Sequence, residues 1–217
     1  MLELFSGTGS VGAVAKSLGY EVVSLDLKNA DINTNILDFD YKQYEPEYFD
    51  VIWASPPCTE YSIAKTVGSR QIETANEIVL KTLEIIEFLN PKYFILENPQ
   101  TGKLKNQVFM HGLPYVDIDY CCYGFPYRKR TRLWNNIFKW KPRALCKRDC
   151  GNMDETGRHH KGIAQHGPSS KNGSCINQKA HTMKELYRIP EALIHHRTAY
   201  LEFLKKCLTR GAHLPAG

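Results

Sequence analysis

A thiol, a carboxylate and a glycine loop stand at positions of this sequence where each could do chemistry. Cys58 closes the run Ser55-Pro56-Pro57-Cys58. Proline fixes φ, so a Pro-Pro pair makes a stiff loop that presents the next side chain in one direction. A thiol held that way is a nucleophile once ionised; the alternative is a small buried hydrophobe. Glu97, in Glu97-Asn98-Pro99, could hydrogen-bond the polar edge of a base, or it could be a helix-capping or surface carboxylate. Gly7-Thr8-Gly9-Ser10-Val11-Gly12 follows a short apolar run, where glycines let backbone amides approach a cofactor closely. By itself that loop fits NAD, FAD or S-adenosylmethionine, or a plain tight turn. Asp26 is placed to accept hydrogen bonds from ribose hydroxyls.

Cys58 and Glu97 explain one another in one reaction. C5 of cytosine is too weak a nucleophile to take a methyl group unaided. A thiolate added at C6 turns the ring into an enamine whose C5 can attack a sulfonium methyl. A carboxylic acid at N3 and the exocyclic amine offsets the charge that develops in the ring. An ordinary cysteine is only a few per cent ionised at neutral pH, so nearby cations or helix amides would help.

The elements that must position these groups alternate. Leu2 to Phe5, Glu21 to Leu25, Asp50 to Ala54 and Tyr93 to Leu96 read as short strands. A helical stretch runs from the glycine loop to Leu18, stopped by Gly19. The apolar spacing of Ile72, Ala75, Ile78, Val79, Leu83, Ile86 and Leu89 predicts a second helix, ended by Asn90-Pro91. The pattern predicts an α/β fold with a mostly parallel, doubly wound sheet. The glycine loop, the Cys58 loop and the Glu97 segment then each follow a strand's carboxyl end, the edge where open α/β sheets bind ligands.

Past Trp140 the chain changes character. Residues 141–182 are rich in Gly, Lys, Asn, Ser and His and are expected to form a small insert, with an amphipathic closing helix over Glu191 to Leu208. Cys146-x3-Cys150, His159, His160, His166 and Cys175 could supply four zinc ligands to a segment without a core, the expected set being Cys146, Cys150, His160 and Cys175. Free thiols in a flexible loop are the alternative. From Tyr120 to Arg148 there is no Asp or Glu, while nine Lys or Arg lie between Arg128 and Arg148. Tyr123, Phe125, Tyr127, Trp134, Phe138 and Trp140 are interspersed with these cations, as suits base stacking with phosphate contact; core aromatics under a solvated basic face are the other reading.

Composition bounds the rest. With 217 residues and 42% hydrophobic content, there is room for one α/β domain with a core. No apolar run approaches 18 residues, so no membrane span is expected. The N-terminal residues lack the basic and apolar regions of a secretory signal, and seven irregularly spaced cysteines read as thiols in a reducing, intracellular setting.

Phe5-Ser6-Gly7-Thr8-Gly9, Pro56-Pro57-Cys58, Glu97-Asn98-Pro99 and Gly124-Phe125-Pro126-Tyr127-Arg128-Lys129-Arg130-Thr131-Arg132-Leu133 resemble, in order and spacing, the cytosine-C5 DNA methyltransferases. The resemblance covers about residues 1–140 and resumes weakly at His181 to Glu191. It implies a Rossmann-like sheet and S-adenosylmethionine as methyl donor, with Cys58 as nucleophile, Glu97 on the base, and Arg130 and Arg132 helping to hold the target base and its backbone. Phe5, Gly7, Gly9, Asp26, Asp38 and Pro57 match cofactor-pocket positions, Asp38 only by its distance before Cys58. The partner implied is double-stranded DNA. Thr59-Glu60-Tyr61-Ser62 and Tyr127-Arg128 depart from the family pattern, and no Gly-Asn-Ser motif follows near the C-terminus. Residues 1–140 would be the catalytic domain, 141–182 a short target-recognition insert and 183–217 a closing segment. Two rivals stand beside this reading. One is the same chemistry on a structured RNA, disfavoured because the Cys-Phe-Thr signature of the tRNA-methylating branch is absent. The other is a catalytically silent nucleic-acid-binding module.

Overall fold

The computed structural model describes residues 1–66, 68–138, 140–160 and 183–196. Seven strands form one sheet in the order β3-β2-β1-β4-β5-β7-β6. Strands β1 (Leu2–Leu4), β2 (Val23–Asp26), β3 (Ile32–Asn33), β4 (Val51–Ala54) and β5 (Tyr93–Pro99) run parallel, and β7 (Arg130–Asn135) pairs antiparallel with both β5 and β6 (Tyr115–Asp119). The α/β, doubly wound reading therefore holds, with an antiparallel edge added. Strand β5 runs past Leu96, so Glu97, Asn98 and Pro99 lie inside a strand rather than after it. The reason is non-local: they pair with Leu133, Arg132 and Thr131.

Period-two alternation sorts the sheet into two faces. Val51, Trp53, Ile95, Ile118 and Leu133 pack with Val11 and Val14 of helix α1 (Ser10–Ser17) and with Ile189, Leu193 and Ile194. Leu2, Leu4, Ile52 and Ala54 point the other way, onto Ile85, Ile86 and Leu89 of helix α2 (Ile72–Leu89), while Leu96 and Trp134 meet Ala75 and Val79 of the same helix. Fully burying such side chains contributes about 1.5–3 kcal/mol each, which is what drives the two layers together. Helix α2 matches its apolar spacing and stops at Asn90, whose φ of 43° is left-handed. A short helix α3 (Met183–Tyr187) follows the insert. Residues 191–196 are helical, as expected for the closing segment, and the rest of that expected helix lies outside the described residues. Among the described residues no helix is long and apolar enough to cross a membrane.

The aromatic row after Tyr120 is mostly core. Tyr123, Tyr127, Trp134 and Trp140 are buried, which corrects the expectation that they stack on bases; Phe138 alone of the row is strongly exposed, at 83%. Two cations of the basic run are paired within the sheet. Arg130 donates to Asp119 through Nε and Nη2 at 3.0 and 2.8 Å, and Arg132 donates to Asp117 at 2.7 and 2.9 Å. Both acids sit on β6, directly opposite their arginines and just before the acid-free stretch of sequence.

Candidate active site

The strand ends on the carboxyl side of the sheet enclose a cavity of about 400 Å³, within the range of small-molecule sites. The first wall is the turn after β1. Phe5, Gly7 and Gly9 have φ of 61°, 53° and 67°, a left-handed series that is strained at Phe5, where a Cβ must be accommodated. Asp26, at the end of β2, secures the turn: its Oδ2 accepts the Gly7 amide at 2.8 Å and its Oδ1 that of Leu27 at 2.7 Å. Leu27, 67% exposed, and Ile36 add apolar surface to the same wall.

Glu3 lies beneath this turn, 3% exposed, and accepts the Gly12 amide at 3.0 Å. Burial pushes its carboxyl up to about 7, against the opposing pull of the Gly12 and Val11 amides. A Cβ on Gly12 would stand 2.4 Å from Glu3 Oε2, so this helix position must be glycine while the contact exists.

The second wall is the Pro-Pro loop. Asn98, fully buried, donates Nδ2 to the Pro56 carbonyl at 2.9 Å, and the Ser55 amide donates to Leu4 O at 3.2 Å. Strand β5 thus holds the loop that presents Cys58. The chain beyond Cys58 is folded back by Arg70, whose guanidinium donates to the carbonyls of Glu60, Ser62 and Lys65. Cys58 is half-buried and lines the cavity. Burial pushes its thiol above the ordinary value of 9.0; Lys129 pulls it down and Glu97 pushes it further up. The expected cation is present, yet burial outweighs it.

Glu97 is 6% exposed and faces the cavity. Tyr120 donates to its Oε1 at 2.9 Å, and Lys129 Nζ stands 3.6 Å from the same oxygen; no described residue donates to Oε2. Strand alternation explains why Lys129 is here and the arginines are not. Glu97 pairs with Leu133, and Lys129 shares the parity of Leu133, whereas Arg130 and Arg132 project from the opposite face toward Asp119 and Asp117. Phe5, Gly7, Asp26, Pro57, Cys58 and Glu97 therefore meet at one cavity, while Gly9, Asp38, Arg130 and Arg132 do not line it. Gly9 instead caps helix α1, and Asp38 is exposed at the end of the 3-10 turn Ile36–Asp38, while Thr34, Asn35 and Ile36 at and before its start line the cavity.

Lys129, Tyr120 and Glu3 are the residues missed in the sequence, together with a third wall. Tyr187 and Ile189 line the cavity. Their segment is held by Tyr127 Oη donating to Glu185 O (3.2 Å), by Lys129 Nζ donating to Leu186 O (3.3 Å), and by the Ile189 amide donating to Ser10 Oγ (3.2 Å). Residues 185–189 thus close this side of the cavity. Period-two counting could have singled out Lys129 in the basic run; no signal in the sequence ties Tyr187 to Cys58.

A second cluster lies outside the cavity. Sγ of Cys121, Cys146 and Cys150 and a ring nitrogen of His159 lie within 4.8 Å of one another. Of the expected set Cys146, Cys150, His160 and Cys175, the first two are in this cluster; His159 rather than His160 faces them, and Cys121, 25 residues before Cys146 in the chain, joins them. His160 is exposed, and its backbone amide donates to Asn152 O at 3.2 Å. Cys175 lies outside the described residues, as does His166.

The profile of the C-5 cytosine-specific DNA methylase family matches residues 1–109. A protein of Frog virus 3 (isolate Goorha) named "Probable DNA (cytosine-5)-methyltransferase" is 37% identical over 213 residues, an alignment that spans 89% of this chain and 96% of the viral one. Among solved structures, the Entamoeba histolytica methyltransferase EhMeth is similar with a TM-score of 0.48 and 17% identity over 64% of this chain and 53% of its own. The S. pombe Dnmt2 methyltransferase gives 0.41 and 15% over 61% and 47%, so this chain spans about half the length of those two. With half its length matched by the family profile and nearly all of it by the viral relative, the chain belongs to the C-5 cytosine-specific DNA methylases.

Proposed function

We propose that Cys58 forms the covalent bond to C6 of a flipped cytosine in double-stranded DNA and that the cavity beside it holds S-adenosylmethionine. The family fixes the reaction class as methyl transfer to C5 of cytosine in DNA. The observation that carries the finer reading is the half-buried thiol of Cys58 in the same cavity as Glu97, Lys129 and the Asp26-secured turn.

The residues fit the cofactor. Asp26 Oδ1 and Oδ2 retain lone pairs toward ribose hydroxyls beyond the two amides they accept, and Leu27, Ile36 and Pro57 offer apolar surface to a purine. When bound, S-adenosylmethionine supplies an electrophilic methyl group. The protein's own residues do the rest. Lys129 favours the Cys58 thiolate, which adds to C6 and moves the ring's electron pair to C5. Glu97, anchored through Oε1, keeps Oε2 for the polar edge of the base. After C5 has taken the methyl, loss of its proton re-forms the double bond and expels the thiolate. The exposed Lys141, Lys147 and Arg148 suit phosphate contact, because Arg130 and Arg132 are paired with Asp119 and Asp117 and Arg128 Nε lies 4.0 Å from Asp119. Thiol chemistry of this kind suits a reducing intracellular compartment.

The test is a trap. Duplex DNA with 5-fluorocytosine at the target site cannot lose a proton from C5, so the wild type should leave an adduct that survives denaturing electrophoresis, and Cys58→Ala should leave none. Equal adduct from the variant would remove Cys58 from the mechanism. A structured RNA with the same base, trapped in preference to the duplex, would replace the DNA substrate with RNA.

A further inference from the structure

The Cys121, Cys146, Cys150 and His159 cluster lies outside the cavity, and the proposed methyl transfer makes no use of it. We propose that these four side chains bind one structural zinc ion that pins the start of the insert to the antiparallel edge of the sheet.

Geometry carries the inference. Cys146 Sγ and Cys150 Sγ stand 3.5 and 3.4 Å from the same atom, His159 Nε2. One imidazole nitrogen either accepts one hydrogen bond or donates one, so a hydrogen bond accounts for one of those contacts and not both. A tetrahedral zinc with Zn–S about 2.3 Å and Zn–N about 2.0–2.1 Å places sulfur and nitrogen about 3.5 Å apart. Three thiolates and one imidazole complete a closed tetrahedral set with no open position, the form of a structural rather than a catalytic site.

The surrounding chain is built to deliver those atoms. Arg148, with φ of 71°, turns its amide back onto Cys146 Sγ at 3.3 Å, a hydrogen bond of the kind that fixes a metal-bound thiolate. Gly151, φ 77°, reverses the chain immediately after Cys150. A tight turn then brings His159 home: Asp154 Oδ1 accepts the amides of Thr156 and Arg158, and Asp154 N donates to Arg158 O. Residues 141–160 have little apolar burial of their own to order them, with Leu145 exposed and Cys146 buried. The cluster is also wired to the sheet, since the Cys146 amide donates to Asp119 Oδ2, the carboxylate that clamps Arg130.

Full-length protein purified under reducing conditions should carry one zinc per chain by elemental analysis. His159→Ala and Cys150→Ser should each lose it, while His160→Ala, Cys122→Ser and Cys175→Ser keep it. Because a ligand variant can misfold, cobalt(II) titrated into chelator-treated wild type gives an independent readout: the intense visible bands of a tetrahedral ion with a thiolate charge-transfer band, saturating at one equivalent. Chelation should expose Lys147, Arg148 and Arg158 to trypsin, and zinc should restore protection, with Cys58 labelling unchanged throughout. Reduced protein that is metal-free and gives only an octahedral cobalt spectrum would overturn the proposal. So would iron in place of zinc, metal retained by both ligand variants, or metal lost with Cys175. None of these readouts depends on turnover, so they stand or fall separately from the Cys58 mechanism.

Discussion

Strands β1, β2 and β4 and the antiparallel pair β6–β7 belong to one sheet but are held in place by different forces. In the parallel half, Leu2, Leu4, Leu25, Ile52 and Ala54 are sealed to 1% exposure or less between helices and sheet, so position is set by non-directional apolar burial. Along β6 and β7 the alignment is also set by bidentate pairs, Asp117 with Arg132 and Asp119 with Arg130, and Asp119 passes that alignment on to Cys146. A burial-held region tolerates adjustment of its neighbours; a region held by directional charged bonds gives way at single atoms. The difference matches the division of labour proposed above, with cofactor and nucleophile on the first region and the insert anchored to the second.

Removing one fixing group from each half should have different consequences. Leu4→Ala should cost about 2–5 kcal/mol by the cavity it leaves, read as a drop in the midpoint of global denaturant unfolding. Asp119→Ala should cost about 3 kcal/mol, because Arg130 and the Cys146 amide lose a carboxylate that is wholly buried. The two should differ in pattern: only Asp119→Ala should speed amide exchange in residues 141–160 ahead of global unfolding. Identical exchange maps for the two variants would mean that both halves are held alike.

Glu3 tests the parallel half from within, since it is a titratable group placed in an apolar layer. Its ordinary value of 4.5 is raised to about 7 in the folded chain. The folded state therefore holds the proton more tightly than the unfolded state, so this contribution is fully present below 4.5 and is lost as pH rises through 7. That loss is about 3 kcal/mol. Glu3→Gln, which cannot ionise, should gain stability relative to wild type across the same window. A difference between the two proteins that stays constant with pH would place the Glu3 carboxyl in water.

The smallest effect is at the junction of the halves, where Cys58 from the parallel region faces Lys129 from the edge of the other. Alkylation of Cys58 should follow its thiolate, with a midpoint above the ordinary thiol value because burial dominates. Lys129→Met removes the favourable charge and should move the midpoint up; Glu97→Gln removes the unfavourable one and should move it down. Shifts of the same sign in both variants would show that the thiol senses burial alone.

Strands β1, β2 and β4, the first part of β5, and helix α2 to within a residue at each end were legible in the sequence, as were Cys58 and Glu97 as candidates for chemistry; the short strand β3 was not. These are local signals: 3.6-residue and two-residue apolar periods, the stiffness of Pro56-Pro57, and residue types whose chemistry fits one reaction. Tertiary structure decided what lies between distant segments. Pairing with β7 drew Glu97 into a strand, and the parity of that pairing put Lys129 beside it while turning Arg130 and Arg132 to acids on β6. The same sheet edge brought Cys121 to Cys146, Cys150 and His159, and the 185–189 segment to the cavity. Sequence spacing does not reveal such pairs, because strand register and chain return are fixed by the sum of contacts across the whole core rather than by any one segment's preference.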